Sequence, residues 1–269
     1  AVAVNVSSSK FEAGIRQVTE LLYTGRVDVS AESTQVAVGF AGALGAARDG
    51  TGAGGSVSVN VMSNRIESYL VNSKIVYNGA ASGSHDVTVR AQDKTTLVAV
   101  TGAAGVGKKA GVGIAVSYNE IGNAVMAGIQ GSTVDTGGHG AVKVSAKDTS
   151  SLGGGAVGVG VGMGEAKFAG AGSVQVNRVG SAVAAYVLPS RDGNGAVTAR
   201  SRIDASSLTV EAIENNTLVA VTGGVAVTAG GSVAVGASVS VNEFSSRTSA
   251  LIEYADVDVS GKVDVSAHS

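Results

Sequence analysis

The stretch Gly55-Ser56-Val57-Ser58-Val59-Asn60, with Leu70 ten residues beyond the asparagine, decides how this chain is read. Its pattern recurs along the chain. Asn5 follows Val2-Ala3-Val4, Asn119 follows Ile114-Ala115-Val116-Ser117-Tyr118, Asn177 follows Val174-Gln175-Val176, and Asn242 follows Val239-Ser240-Val241. Ten residues after each stands Ile15, Leu70, Ile129, Val187 or Ile252, aliphatic in every case. Successive asparagines lie 55, 59, 58 and 65 residues apart, so one unit has been copied with small changes of length. Internal repetition has to be settled before any local motif is interpreted.

A second anchor opens each unit: Val27-Asp28-Val29-Ser30-Ala31, Val87-Thr88-Val89-Arg90-Ala91, Val142-Lys143-Val144-Ser145-Ala146, Leu208-Thr209-Val210-Glu211-Ala212 and Val263-Asp264-Val265-Ser266-Ala267. Strict alternation of apolar and polar residues puts one face inward and one toward water, as on a half-buried strand. The units are 27–86, 87–141, 142–207 and 208–262, with partial units at 1–26 and 263–269, and together they form one solenoid segment. Between anchor and asparagine lies a glycine- and alanine-rich pair of strands, and Leu97-Val98-Ala99-Val100-Thr101-Gly102 returns unchanged as Leu218-Val219-Ala220-Val221-Thr222-Gly223. With strands of about five residues and short turns, a unit fits about three turns of roughly 18 to 20 residues. About 14 such turns at about 4.8 Å make a rod of about 65 to 70 Å.

Composition agrees with a thin, layered, all-β chain. Its 269 residues include 40 glycines, four phenylalanines, one proline and no tryptophan, and the apolar content is mostly valine and alanine. Valine favours strands, and small residues suit closely stacked layers. A net charge of −2, with no basic stripe, argues against nucleic acid as a partner. Without cysteine there is no disulfide framework, thiolate metal site or thiol nucleophile. No run of eighteen apolar residues and no leader-like start is found. The chain begins and ends inside the repeat, so we expect a longer protein whose targeting signals lie elsewhere.

The third unit is the longest, and its surplus sits at 189–200, with the one proline. Extra residues inside a stacked strand would reverse its faces, so the insertion must leave through a turn. Pro189, Arg191, Asp192, Asn194 and Arg200 are therefore the candidate contact loop; a tolerated surface insertion is the simpler alternative. Ser9 to Tyr23 carries Phe11, Ile15, Val18 and Leu22 at helical spacing, but the repeat aligns Ala13-Gly14-Ile15 with Ala127-Gly128-Ile129 and assigns a strand.

Several motifs look chemical and fall short. Gly102-Ala103-Ala104-Gly105-Val106-Gly107-Lys108-Lys109 is close to a phosphate-cradling loop, but it lacks the final hydroxyl and the helix that such a loop opens. Gly50, Gly52 and Gly55 precede a strand where a dinucleotide fold needs a helix, and read as turn glycines. His85 and His139 stand just ahead of anchors and read as solvated turn residues several coils apart, too far for a shared metal. Asp28, Glu211 and Asp264 lie on the polar face in the middle of the anchors, where Thr88 and Lys143 stand in other units, and that face asks only for a polar residue. Asp256 and Asp258 read as a solvated face. The recurring asparagines suit corners, since asparagine tolerates the left-handed conformation. Ala156 to Gly164 puts valine and methionine on one face and glycine on the other, a surface for close packing. No catalytic residue, cofactor site or metal site is assigned.

Strands ending V-x-V-N, as at Val57 to Asn60, Val174 to Asn177 and Val239 to Asn242, together with anchors of the form V-x-V-S-A, resemble the repeats of large bacterial surface exoproteins. The nearest are the leukotoxin-type filamentous adhesins and the filamentous haemagglutinin-like proteins of two-partner secretion. The resemblance covers essentially the whole chain. It implies a right-handed parallel β-helix, secreted to the surface of a Gram-negative cell through a dedicated transporter and used in attachment or toxin delivery. Its partners would be a host-cell surface protein or glycan and neighbouring repeats of the same longer chain. A carbohydrate-acting β-helix enzyme and a membrane-associated, pore-forming segment are the alternative readings.

Overall fold

The computed structural model describes residues 1–79, 85–164, 166–230 and 233–269, and every regular element among them is a strand. The chain opens with β1 (Val2–Arg16) and β2 (Leu21–Tyr23). A long, a long and a short strand then repeat as β3 (Val27–Ala47), β4 (Thr51–Val71) and β5 (Lys74–Tyr77), and as β6 (Val87–Gly107), β7 (Ala110–Gln130) and β8 (Thr133–Asp135). The third unit holds β9 (Ala141–Gly162), β10 (Phe168–Leu188), an inserted hairpin of β11 (Ser190–Arg191) and β12 (Val197–Ala199), and β13 (Ser201–Ala205). After it come β14 (Ser207–Thr228), β15 (Val233–Ile252), β16 (Ala255–Val259) and β17 (Val263–His268).

Three five-stranded sheets result. The anchor sheet is ordered β3-β6-β9-β14-β17, the asparagine sheet β1-β4-β7-β10-β15, and the short sheet β2-β5-β8-β13-β16. Neighbouring strands in each are parallel, the architecture of a parallel β-solenoid. The Ser9–Tyr23 stretch is strand, as the repeat requires.

The number of coils is corrected by the register. Val27 lies beside Val87, Val87 beside Val142, Val142 beside Leu208, and Leu208 beside Val263. One unit is therefore one coil, not three. Its long strands run 20 to 22 residues in the complete coils, far beyond the ordinary length. Five coils stack to about 20 to 25 Å, whereas a 21-residue strand runs about 70 Å. The 65 to 70 Å expected of the solenoid axis is instead the width of a coil.

Glycine explains the misreading. Many glycines that read as turn signals sit in mid-strand, where the two long sheets approach backbone to backbone. A Cβ on Gly52 would lie 1.8 Å from the Val106 carbonyl oxygen, and one on Gly113 would lie 2.1 Å from that of Val159. Only glycine permits such an approach. Gly52 is thus a packing glycine and not a turn residue. The glycine face of β9 behaves as expected, with Gly158 and Gly160 set against the backbone of Gly172 and Gly170.

Across a coil the interior changes character. Where the short sheet closes a triangle, Ile66, Leu70, Ile75, Val89, Ile129, Val144, Val187, Ile203 and Val210 form the main core. Next comes a polar layer, then a single aliphatic row of Met62, Leu97, Ile121, Leu152 and Val179. Beyond that row lie the asparagines, and finally a flat two-sheet slab lined by glycine, alanine and serine.

Candidate functional site

The insertion leaves the coil where the left-handed corner should be. Gln17, Asn72, Gly131 and Tyr254 turn from the asparagine sheet toward the short sheet with φ of 54°, 48°, 55° and 45°. Twelve residues separate each from its unit's asparagine, and Pro189 holds that place in the third unit. Proline is locked near −65° and cannot make the turn. The chain goes out instead as the antiparallel β11–β12 hairpin and rejoins at Ser201, whose hydroxyl donates to the Leu188 carbonyl at 2.6 Å.

Asp192 builds the hairpin tip: its Oδ1 accepts from the Asn194 and Ala196 amides, each at 2.9 Å, and Gly195 supplies φ of 84°. The two candidate cations are held by the next coil. Arg191 pairs with Glu253 at 2.8 Å and lies 5.2 Å above the Tyr254 ring, and Arg200 is 3.6 Å from Asp256. The structure thus brings Arg191, Asp192, Asn194 and Arg200 into one exposed excursion, whereas Pro189, expected in the contact loop, is buried because it sits at the corner of the coil where the excursion begins. Asn194 is left facing solvent while both arginines are partly neutralised. That surface can offer hydrogen bonds to a partner.

The recurring asparagines are not corner residues. They lie in mid-strand and form one amide ladder, with Asn60, Asn119 and Asn177 fully buried and Asn5 and Asn242 exposed on the end coils. Nδ2 of Asn5 donates to Asn60 at 2.7 Å, Asn60 to Asn119 at 2.8 Å, Asn119 to Asn177 at 2.9 Å and Asn177 to Asn242 at 2.8 Å. Ser58 and Ser117 accept second bonds from Asn60 and Asn119. Each coil satisfies the next, which fixes register in a region lacking bulky side chains.

Sequence reasoning missed the polar layer. Asp93, Asp148 and Glu214 stack on successive coils, all facing inward and nearly unexposed. Opposite them stand Asn64, Asn123 and Ser181. Asn123 Nδ2 bridges the first two carboxylates, 2.8 Å from Asp93 Oδ2 and 3.2 Å from Asp148 Oδ1. Ser150 and Ser181 donate to Asp148 Oδ2 at 2.9 and 2.6 Å. Burial, with the neighbouring Asp93 charge, pushes the Asp148 carboxyl up to about 6 against these hydrogen bonds. The signal was available: each acid sits six residues into its anchor strand, an even offset from the buried Val87, Val142 or Leu208. Asp93 and Asp148 have no exposed surface and Glu214 almost none.

Two other expectations change. His85 is buried, not solvated, and its ring stacks on Tyr77 at 3.6 Å. His139 is 5.8 Å away on the adjoining coil, because a unit is a single coil. Tyr23 donates to the His85 carbonyl at 2.7 Å, and burial pushes its hydroxyl up to about 12. The near-phosphate loop is strand β6 through Gly107, with Lys109 turning into β7. Asp256 and Asp258 are exposed, as expected, and Asp258 registers with Asp204. Among the described residues no three His, Asp or Glu side chains are grouped to hold a metal. Comparison with protein-family models, curated proteins and solved structures returns no significant match.

Proposed function

We propose that this chain is a structural and adhesive shaft segment of a secreted bacterial surface exoprotein, serving attachment or toxin delivery to host cells. The observation that carries this reading is the unbroken stacking of five coils through the amide ladder, interrupted on its outside by one ordered hairpin. A parallel solenoid satisfies its backbone coil by coil and can be lengthened by adding units, which suits a spacer. The hairpin is an insertion in the third unit, and variable loops on a rigid scaffold are where recognition concentrates. The partner class is a host-cell surface protein or glycan.

The test is attachment of the purified chain to cultured cells and to a glycan array. Saturable binding that disappears when residues 190–200 are replaced by a short Gly-Ser turn supports adhesion through the hairpin. No saturable binding on any surface reduces the chain to a spacer. Release of reducing ends from a polysaccharide panel would overturn the reading in favour of an enzyme.

A further inference from the structure

The slab half of each coil is inverted relative to an ordinary β-protein. Its interior is glycine, alanine, serine and asparagine, while valine, leucine and phenylalanine point outward. On the anchor sheet Phe40 and Leu44 are 71% and 73% exposed, and Val221 is 63% exposed. None of the outward positions at 36–46, 96–106, 151–161 and 217–227 carries a charge.

The relief of this face is ordered. One row across the four strands reads Phe40, Val100, Gly155, Val221, and the next reads Gly42, Gly102, Val157, Gly223. Wherever one row has a large side chain the other has glycine. Cβ atoms placed on Gly102 and Gly223 would meet nothing within 4 Å, so these are open pits. Gly42 is shaded only by the Phe40 ring, 3.1 Å from such a Cβ. The asparagine sheet matches less well: Val57 and Val174 have Gly55 and Gly172 beside them along their strands, but Val116 lies between Ile114 and Tyr118 and Val239 follows Ala237, so its two rows do not interlock throughout.

We infer that the outer slab face of the anchor sheet pairs with the same face of a second copy of this chain. The two-fold axis lies in the interface, perpendicular to the strands, midway between the two rows. Phe40, Val100, Val157 and Val221 of one copy then seat on the second copy's Gly42, Gly102, Gly155 and Gly223. Val98 falls opposite the second copy's Ala104. Four strands at about 4.8 Å and eleven residues at about 3.3 Å give a face of about 700 Å² per copy. The total of about 1,400 Å² lies within the range of stable interfaces. A bilayer suits the face less well, because the slab has open sheet edges and hydrocarbon does not tolerate them. Lateral pairing of shafts goes beyond the attachment role and does not depend on it.

Sedimentation equilibrium on wild type, Gly155→Val, Val157→Gly and the double variant tests the pairing. Gly155→Val sets valine against valine and is expected to weaken association by about 10- to 100-fold. The double variant exchanges knob and pit and is expected to recover wild-type association. An equimolar mixture of the two single variants should form mixed pairs. Since the chain has no cysteine, Val98→Cys mixed with Ala104→Cys should give an interchain disulfide, and neither alone should do so at a comparable rate. All four positions face outward, and circular dichroism checks that folding is unchanged. A monomeric wild type, or association unaffected by Gly155→Val, overturns the inference. So does a monomer that floats with anionic vesicles through this face, which would assign it to lipid.

Discussion

Replacing Asp148 by Asn should stabilise the protein at pH 8 and lose that advantage at pH 4. The carboxyl is raised from 3.8 to about 6 by burial and by the nearby Asp93 charge. A shift of about two units corresponds to about 3 kcal/mol at 1.36 kcal/mol per unit. Because the folded value is the higher one, folding takes up a proton between about pH 4 and 6. Stability from this group is fully present below that window, falls as pH rises through it and stays low above it. Asparagine carries no charge to bury. It can keep the hydrogen bonds, since Oδ1 still accepts from Asn123 and Nδ2 can donate to the Ser150 and Ser181 hydroxyls after they rotate. Allowing about 1 kcal/mol for imperfect geometry, the gain at pH 8 is about 1 to 3 kcal/mol, shrinking to zero or a slight loss at pH 4. The assay is urea unfolding of both proteins at pH 4, 6 and 8. Only the difference is used, because Glu12, held to about 2 by its bond from Lys10, and Glu67, held down by Arg65, act in the opposite direction in both. A difference that does not change with pH would refute the reasoning.

Asn119→Ala should cost about 1 to 3 kcal/mol in urea unfolding, since Asn60 loses one acceptor while keeping Ser58, and Asn177 loses one donor while keeping Gln175. Gly113→Ala must push the two long sheets apart, because its Cβ would meet the Val159 carbonyl oxygen at 2.1 Å; a loss of about 2 kcal/mol or more is expected. Gly102→Ala, with open space at its Cβ within one copy, should be neutral or slightly stabilising in urea unfolding of the monomer. Small-angle scattering should give a broad slab about 70 Å across and about 20 to 25 Å along the stack for the monomer, and a rod-like cross-section would contradict one coil per unit.

The repeat, the all-β class and the parallel stacking were legible because they rest on recurrence and alternation, which survive in a single sequence. The anchor valines face inward as alternation demands, and the insertion at Pro189 emerges as a hairpin. Alternation also held the key to Asp93, Asp148 and Glu214. Their even offset from buried valines places them inside, although carboxylates are read by habit as solvated. Coil length was not legible. Nothing local separates a glycine that bends a chain from one that lets two backbones touch, and Gly52 and Gly113 needed the facing strand to tell them apart. The asparagine ladder belongs to the same class, since a side chain that bonds its copy 55 to 65 residues away looks, in one unit, like any turn asparagine. The sequence by itself determined the periodicity and which face of each anchor segment turns inward, because recurrence and alternation are properties of the covalent chain. The tertiary structure alone decided where the chain turns, what the glycines touch and that the slab wears its valines outside, because those depend on which distant backbone lies across the gap.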